Sequence, residues 1–336
     1  MMKVHLLNDM KTSHTFSNRH NPANIQGIKI SWMGEFKDLP NVAVFDTAFH
    51  STIPQKAHTY PIPGEYRAND IRKYGFHGTS VKYVSQVAIN ILKCRIPANI
   101  PYRLVVAHLG NGASVTAVVD GKVGSAICEF LYDAFLPFFL HLSSCLLKNM
   151  VRCQSVDTTM EFTPLSGVMM GSRSGSVDPS VITYAMKRLQ KSPEEVIDDL
   201  NRRSGLKGIS NGDNDMRVIE SRALSGDENA KLALDMFVYN LSKYIAAMMV
   251  ACGGKVDAIV FTAGIGENSH QVRKMTIACI DGLLGTKVQL DDALNSINGV
   301  GNDGIITKTV EGPVIMVIPT DEEVMICQEC ERLVNF

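Results

Sequence analysis

Residues 104–119 read LVVAHLGNGASVTAVV, two apolar runs joined by a turn that holds two glycines. The apolar runs predict a strand at Leu104–Ala107 and a hairpin strand at Ser114–Val119. On both sides of this hairpin, short apolar runs alternate with amphipathic stretches of helical period. Such alternation is typical of an α/β fold, in which helices cover a sheet.

The same alternation continues along the chain. Strands are predicted at Val42–Phe45, Val256–Phe261 and Val314–Ile318, and helices at Thr79–Leu92 and Asp227–Cys252. Because units of strand, loop and helix place their loops at one edge of a sheet, we expect a ligand to bind at that edge.

Two capping boxes mark the starts of helices. Ser192 and Glu195 form the first box, and Gly205 is predicted to end the helix that follows. Thr320 and Glu323 form the second box, ahead of the last helix. In each box a hydroxyl and a carboxylate would satisfy the free N–H groups of the first turn.

The composition excludes two classes of partner. The chain has 336 residues, 45% of them hydrophobic and 20% charged, so it can bury a sizeable core and is long enough for two domains. The formal net charge of -1 leaves no basic surplus to neutralise a nucleic acid or an acidic bilayer. We therefore expect neither a nucleic acid nor a membrane as a partner.

The cysteines indicate a reducing compartment. The chain has eight, without regular spacing, and no signal-peptide pattern precedes them, so a disulfide framework is not predicted. Cys327 and Cys330 form a lone CxxC, which we interpret as two thiols one turn apart on a helix, since no second pair completes a zinc site. A cytoplasmic location is expected.

Residues 123–154 interrupt the pattern. They read VGSAICEFLYDAFLPFFLHLSSCLLKNMVRCQ and split a polar hairpin between VVDGK and SVDTTMEF, so we interpret them as an atypical insertion. A membrane-spanning helix is one alternative, although Asp133, Pro137 and His141 would each be costly or disruptive in it. A translated intron is another, because valine codons begin with GT and glutamine codons can end in AG.

Two glycine-rich segments follow predicted strands, HLGNGAS at 108–114 and FTAGIGENS at 261–269. Glycine lets backbone N–H groups approach phosphate oxygens closely, so both are candidate phosphate turns. Neither matches a Walker loop or the glycine order of a dinucleotide fold. A tight turn without a ligand is the alternative for each.

Two basic side chains stand in unusual surroundings. The segment YGFHGTS places His77 between an aromatic residue and a glycine, and GSRSGSVDP places Arg173 among small residues that leave it accessible. A core histidine and a paired arginine are the alternatives. Together with two candidate phosphate turns, the pair favours cationic groups directed at a transferring phosphoryl group.

Two carboxylates are candidates for metal or proton chemistry. Asp46 follows the apolar run VAVF, and a carboxylate at the carboxyl end of a strand suits metal binding or proton transfer. A helix or turn cap is the alternative. Glu322 falls in the first turn of the last helix, where a carboxylate complements the helix dipole whether or not it binds Mg²⁺.

Eight motifs occur along the chain in the order HNPAN, VAVFDTAFH, RKYGFHGTS, HLGNGAS, SVDTTMEFTPL, MMGSRSGSVDP, FTAGIGENS and VIPTDEE. In this order they resemble the acetate and propionate kinase family. The resemblance covers Asn18 to Ile326, apart from the inserted segment. Eight ordered motifs carry far more weight than any one of them.

The resemblance implies an α/β protein with the actin, Hsp70 and sugar kinase fold, a ribonuclease H-like superfold whose two lobes bind ATP in a cleft. It also implies a homodimer and a Mg²⁺-dependent phosphotransferase that uses ATP to convert acetate or propionate to an acyl phosphate. Residues 1–49 with 324–336 would be a remnant of the N-terminal lobe, and residues 50–323 the C-terminal nucleotide-binding lobe.

Carried over to this sequence, the motifs imply a role for each candidate residue. His77 and Arg173 would stabilise the transferring phosphoryl group, and Asp46 would act as the catalytic acid/base or organise the metal. Glu322 would be a Mg²⁺ site, and His20 would have a secondary role. The nucleotide would contact His108, Leu109, Gly110, Asn111 and Gly112, then Asp215, Met216 and Arg217, and then Gly264, Ile265, Gly266, Glu267 and Asn268.

The sequence departs from the family in the first lobe. Family members open with a strand and an Asn-x-Gly-Ser-Ser-Ser loop that binds Mg²⁺ and phosphate, and an HRxxHGG segment later supplies an arginine for the acyl carboxylate. MKVHLLN at residues 2–8 is similar to the opening strand, but DMKTS replaces the loop and Asn8 lies only 12 residues before His20. We interpret that likeness as chance, and the first lobe is predicted to be largely missing.

Two other functions remain open. A catalytically inactive remnant that still binds nucleotide is favoured by the missing loop and arginine. A sugar kinase or chaperone ATPase of the same superfold would share the glycine turns, but has no reason to carry YGFHGTS and VFDTAFH together. Acetate and propionate differ by one methylene, which a sequence alone does not separate.

Overall fold

The computed structural model describes residues 26–27, 29–30, 39–40, 42–95, 101–120, 153–284, 288–308 and 312–334. The chain forms two compact units, Phe45–Met325 and a smaller one made of Met1–Val44 with Ile326–Phe336. In the smaller unit, residues 326–334 are the end of the last helix. The predicted lobe boundaries stay predictions.

The larger unit is built on a five-stranded sheet, which confirms the α/β class. The strands are β1 (Arg103–Leu109), β2 (Ala113–Asp120), β3 (Cys153–Thr158), β4 (Ala258–Thr262) and β5 (Val314–Val317). Their order in the sheet is β3-β2-β1-β4-β5. The β1–β2 and β2–β3 pairs are antiparallel, whereas β4 runs parallel to both β1 and β5.

The helices cover the sheet and extend the larger unit. They are α1 (Gln55–His58), α2 (Gly64–Arg67), α3 (Gly78–Arg95), α4 (Ser180–Leu189), α5 (Pro193–Arg202), α6 (Gly205–Ile209), α7 (Met216–Leu224), α8 (Glu228–Ala251), α9 (Ala263–Asn268), α10 (His270–Ile280), α11 (Asp292–Ser296) and α12 (Glu322–Val334). Short 3₁₀ helices lie at Ala48–Thr52 and Asp281–Leu283. Within the described residues, no helix is long and apolar enough to cross a membrane.

The core lies on both faces of the sheet, because side chains alternate along each strand. On β1, Val105 and Ala107 belong to the core that includes Phe237 of α8. Leu104 and Val106 belong to the core on the opposite face, which α3 covers. Every one of these four β1 side chains is fully buried. The near-continuous apolar run that predicts β1 is therefore a consequence of burial on two sides.

The hairpin that residues 123–154 divide is present as the antiparallel pair of β2 and β3. Asp120 is opposite Cys153 and Val119 is opposite Gln154, with a register shift between Ala117 and Val118. The insertion itself lies outside the described residues except for its last two positions. The membrane-helix and intron alternatives for it stay predictions.

One predicted strand is wrong. Residues 42–45 have no strand assignment, and the Phe45 side chain is 43% exposed. An apolar run becomes a strand only where a neighbouring strand pairs with it. The described strand pairings include none to this run.

Two of the helix-boundary predictions also need correction. The Ser192 capping box is confirmed, since the Ser192 side chain and Glu195 exchange both capping hydrogen bonds. Gly205 does not end that helix, which stops at Arg202, but opens the next short helix with a positive φ of 63°. The Thr320 box is wrong, because Asp321 accepts the Val324 N–H while the Thr320 hydroxyl bonds elsewhere.

Gly205→Ala tests how the loop that carries Arg173 is held. A Cβ atom at Gly205 would overlap the Met170 carbonyl oxygen and lie 2.5 Å from the Arg173 carbonyl oxygen. Left-handed strain alone costs roughly 1–3 kcal/mol, and the overlap adds to it. We expect a clear fall in the thermal midpoint. Gly282→Ala is the matched control, because a Cβ there meets nothing within 4 Å, and an equal effect of the two changes would contradict this account.

Candidate functional site

The parallel strands bring three candidate segments to one edge of the sheet. His108 of β1 pairs with Thr262 of β4, and Phe261 of β4 pairs with Val317 of β5. The glycine turn at 110–112, the FTAGIGENS segment and the turn that leads to Glu322 follow these strand ends. The predicted ligand edge is therefore the carboxyl edge of β1, β4 and β5.

Gly112 is the point where the two predicted basic side chains meet. A Cβ atom at Gly112 would lie 3.2 Å from Arg173 Nη1 and 3.3 Å from His77 Nε2. A larger residue would therefore crowd both groups. The absence of a side chain at this position lets the turn between β1 and β2 lie against them.

His77 is fixed from three sides. Its backbone N–H donates to Asp46 Oδ2 at 2.6 Å, and its Nδ1 forms a 2.9 Å hydrogen bond with Ser114 Oγ. Its ring stacks on the His108 ring with 4.0 Å between centroids. The backbone is left-handed at His77, with a φ of 61°. An uncommon backbone conformation held by this many contacts is typical of functional sites.

The two stacked histidines are neutral at pH 7. Burial, then the Arg173 charge and His50, lower the pKa of His77 to about 4. Burial and the neighbouring His77 place the pKa of His108 well below its ordinary value. His77 is therefore not the cation that the sequence predicts, because a buried imidazole beside a guanidinium loses its proton.

Arg173 is the cation of the site. Its side chain is half-buried, and burial lowers its pKa. Its Nη1 donates weakly to the Pro164 carbonyl oxygen at 3.4 Å. Across the described ranges, no carboxylate forms an ion pair with it. A half-buried guanidinium without a carboxylate partner is suited to receive an anionic ligand.

Asp46 and Glu322 are the two candidate carboxylates, and they are close enough for the charge of one to act on the other. The Asp46 carboxylate accepts the N–H groups of His77 and Thr79, so it caps the start of α3, as the alternative interpretation proposes. Glu322 opens α12, and burial followed by the charge of Asp46 raises its pKa. Two carboxylates that repel each other are stabilised by a shared cation.

This arrangement fits Mg²⁺ bound together with phosphate. The described residues contain no group of three or more His, Cys, Asp or Glu side chains that could hold a metal alone. Mg²⁺ typically keeps several waters and takes one or two carboxylates plus phosphate oxygens, so it needs no such cage. Glu322 with Asp46 nearby meets that requirement.

The second predicted nucleotide stretch is linked to the glycine turn. Asp215 caps α7 through the Arg217 N–H and forms a 2.6 Å ion pair with the exposed Arg217 side chain. The neighbouring Asn214 donates through Nδ2 to Asn111 Oδ1 at 3.0 Å. The 110–112 and 215–217 stretches therefore line one continuous surface.

The third stretch is helical rather than an open turn. Residues Ala263–Asn268 form α9 directly after β4, and Ala263 has a positive φ of 64°. Glu267 Oε1 accepts the Ala263 N–H at 2.8 Å and the Thr320 N–H at 3.2 Å. The sharp turn from β4 into this short helix is thus made at Ala263 and held by Glu267.

The acetokinase family model matches residues 2–127 and 142–328 of the chain. The chain belongs to the acetokinase family. Acetate kinase 2 of Neisseria meningitidis serogroup A is 43% identical over 317 residues, which are 94% of this chain and 69% of that protein. Acetate kinase of Thermotoga maritima is 43% identical over 318 residues, with the same shares of each chain covered.

Solved acetokinase structures are also similar. A propionate kinase from Francisella tularensis has a TM-score of 0.79 and 40% identity, covering 97% of this chain and 73% of that one. The acetate kinase from Entamoeba histolytica has a TM-score of 0.76 and 30% identity, covering 99% and 76%. The actin-like superfold implied by the sequence resemblance is therefore supported by its structural neighbours.

The comparisons change two expectations about the acetokinase chain. The family match begins at residue 2, ahead of Asn18, and takes in the MKVHLLN segment that we interpret as chance. It gives no support to the predicted loss of the first lobe or to the inactive-remnant alternative. Of the predicted insertion at 123–154, only residues 128–141 lie outside the family match. His20 lies outside the described residues.

Arg273, which no sequence motif predicts, is the largest fully buried side chain of the described acetokinase residues. Its Nη1 donates at 2.8 Å to the carbonyl oxygens of Gly266 and Glu267, and its Nε donates to Asn295 Oδ1 at 2.7 Å. It thereby fixes the end of α9. The signal was its place on α10, where an arginine falls in the buried period between Val272 and Ile277.

His77→Gln tests the neutral state of this histidine in the acetokinase fold. Because its folded pKa of about 4 is below the ordinary 6.5, the unfolded chain binds the proton first as the pH falls. The contribution of His77 to the free energy of unfolding is therefore fully present above pH 6.5. About 2 kcal/mol of that free energy is lost between pH 7 and pH 5. Urea titrations at pH 7 and pH 5 should show a smaller loss of unfolding free energy in His77→Gln than in the unchanged protein. Equal losses would show that His77 is not held neutral.

Proposed function

We propose that the chain is an acetate or propionate kinase, which transfers the terminal phosphoryl group of ATP to a short carboxylate. The products would be ADP and an acyl phosphate. The relatives at about 43% identity are named acetate kinase, and a structural neighbour is named propionate kinase. The observation that carries the proposal is the half-buried Arg173, without a carboxylate partner among the described residues, beside His77 and Gly112.

In this proposal Arg173 neutralises charge on the transferring phosphoryl group. Such transfer depends on positioning and charge stabilisation more than on covalent chemistry. His77 contributes a neutral hydrogen-bonding nitrogen at Nε2, directed to the same point as the guanidinium. A neutral donor adds a hydrogen bond without repelling Arg173, which a second cation would do.

Asp46 has two proposed roles. Its backbone-bonded carboxylate holds the His77 turn at the start of α3, and the same carboxylate could organise the metal or act as acid/base. Glu322 would hold Mg²⁺, which when bound supplies positive charge to the phosphates. Burial and the charge of Asp46 raise the pKa of Glu322. A bound Mg²⁺ would attract the ionised Glu322 carboxylate and so offset the repulsion from Asp46.

The nucleotide is proposed to contact two stretches at the carboxyl edge, 108–112 and 264–268, and the stretch 215–217, which Asn214 links to the first of them. Backbone N–H groups at 108–112 and at 264–268 are proposed to contact phosphate oxygens, whereas the Ala263 N–H is bonded to Glu267. The exposed Arg217, paired only with Asp215 among the described residues, is suited to compete for a further phosphate. A cytoplasmic location and the choice between acetate and propionate stay predictions.

Acyl phosphate formation is the direct test of the proposed activity. Purified protein with ATP, Mg²⁺ and either acetate or propionate should form the acyl phosphate, measured as its hydroxamate. Arg173→Ala should lower kcat by roughly a hundred- to a thousandfold, as removal of one preorganised donor does. ADP binding by calorimetry should survive, because Arg173 is directed at the transferring group.

Arg202→Ala is the matched control for that measurement. Arg202 is an exposed arginine in an ion pair with Asp198, and such surface pairs contribute little. Its activity should equal that of the unchanged protein. Nucleotide binding without turnover in the unchanged protein would reject the kinase proposal in favour of an inactive nucleotide-binding protein.

We also propose that the chain forms a homodimer through α4. This helix is amphipathic but has no buried residue. Val181, Tyr184 and Leu189 are all between 45% and 67% exposed. An amphipathic helix whose apolar side chains face water is stabilised when a second copy covers them.

Tyr184→Glu should shift the chain from dimer to monomer, measured by light scattering behind a sizing column. A buried charge in place of an aromatic contact typically removes several kcal/mol of association energy. Tyr239→Glu on α8 is the matched control, because Tyr239 is similarly exposed but lies on another helix. Dimers that survive Tyr184→Glu would rule out α4 as the interface.

A further inference from the structure

A hydrogen-bonded chain of small side chains leads from α9 to His108. Thr320 donates its N–H to Glu267 Oε1 at 3.2 Å and its hydroxyl to Ser80 Oγ at 2.6 Å. Ser80 Oγ in turn lies 2.8 Å from His108 Nδ1. Ser80 is fully buried and His108 is 8% exposed, so water is largely kept from these bonds.

The direction of the bond between Ser80 Oγ and His108 Nδ1 determines which nitrogen of His108 carries the proton. The Ser80 oxygen accepts the Thr320 proton, so its own proton is free to point at His108 Nδ1. A nitrogen that accepts a hydrogen bond carries no proton. With Ser80 as the donor of this bond, the single proton of the neutral His108 lies on Nε2.

The protonated nitrogen faces the glycine turn. A Cβ atom at Gly110 would lie 3.9 Å from His108 Nε2 and 3.3 Å from the Gly112 carbonyl oxygen. The Nε2–H group is therefore a donor beside the backbone that the proposed function assigns to phosphate contact. With the opposite tautomer, a lone pair would face the same place and repel phosphate oxygens.

We infer that Ser80 and Thr320 are positioning residues that hold His108 in its Nε2–H tautomer and couple it to α9 and the Glu322 turn. The inference rests on the proposed kinase function for its kinetic consequence, although the tautomer does not depend on it. Thr320 stands two residues before Glu322. A shift of that turn would therefore break the bond that orients Ser80.

A merely structural role for Ser80 predicts something different. The same helix buries Ser85, whose hydroxyl has no hydrogen-bond partner among the described residues. If Ser80 only filled space, replacing either serine with alanine would have the same small effect. If Ser80 holds the tautomer, only Ser80→Ala would change His108.

The first measurement is the tautomer itself. Protein with ¹⁵N-labelled histidine should show the Nε2–H form of His108 in long-range proton–nitrogen spectra, with the signal assigned by its loss in His108→Gln. Ser80→Ala should give a mixture of both tautomers, and Ser85→Ala should leave the Nε2–H form intact. An Nδ1–H form in the unchanged protein, or an unchanged tautomer in Ser80→Ala, would overturn the inference.

The second measurement is kinetic. Ser80→Ala should lower kcat/KM for acyl phosphate formation by roughly ten- to a hundredfold, the range for losing one buried hydrogen bond. Thr320→Val should lower it as well, while Thr320→Ser, which keeps the hydroxyl, should restore it. Ser85→Ala activity should stay that of the unchanged protein. Normal kinetics in both Ser80→Ala and Thr320→Val would contradict the positioning role.

The two measurements separate the failure of this inference from that of the proposed function. If the unchanged protein forms no acyl phosphate, the kinase proposal fails, but the nitrogen spectra still show which tautomer His108 adopts. If it forms acyl phosphate and the spectra show no change in Ser80→Ala, the kinase proposal stands and the positioning role is rejected.

Discussion

The parallel pairing of β4 with β1 and β5 is the constraint on which the site depends. Strand direction decides which ends lie together, and parallel strands bring their carboxyl ends to one edge. Three segments far apart in sequence meet there because His108 pairs with Thr262 and Phe261 pairs with Val317. The side chains on both faces of these strands are buried, so a slip of one residue would exchange the side chains of two packed cores and is strongly disfavoured.

The half-buried Arg173 is the cation beside the glycine turn at this edge. Two stacked histidines stay neutral because burial desolvates a proton on either of them, and a proton on His77 would also repel Arg173. Among the described residues neither Asp46 nor Glu322 forms an ion pair with Arg173, and the Asp46 carboxylate is bonded to backbone N–H groups instead. The positive charge of the guanidinium therefore remains available to a ligand rather than being cancelled within the protein.

The sequence predicts most of the framework because local signals and burial agree there. β1, β2, α3 and α8 lie where apolar period and capping residues place them. The run at 42–45 fails because alternation does not reveal whether a partner strand exists. The predicted capping role of Thr320 is wrong for a related reason. A hydroxyl residue suits both a helix cap and a hydrogen bond to the distant Ser80, and the sequence does not distinguish the two.

The candidate site is predictable in its members but not in their protonation or mutual contacts. Glycine turns and isolated basic residues are visible in a sequence, and the motif order links them to the acetokinase family. That His77 and His108 stack, and that burial keeps both neutral, depends on packing between the start of α3 and β1. The buried Arg273 shows the same limit, because its partners come from α9 and from the region of α11.

The β2–β3 ladder has a consequence for how this fold can vary. The register from Asp120 opposite Cys153 onward is set by bonds within the sheet, independently of the chain that joins the two strands. The entropy of closing a loop grows only with the logarithm of its length, by about 0.6 kcal/mol for each doubling. This hairpin is therefore a place where evolution, or an engineer inserting a tag or a sensor domain, can change chain length while leaving the ligand edge on the other strands unaltered.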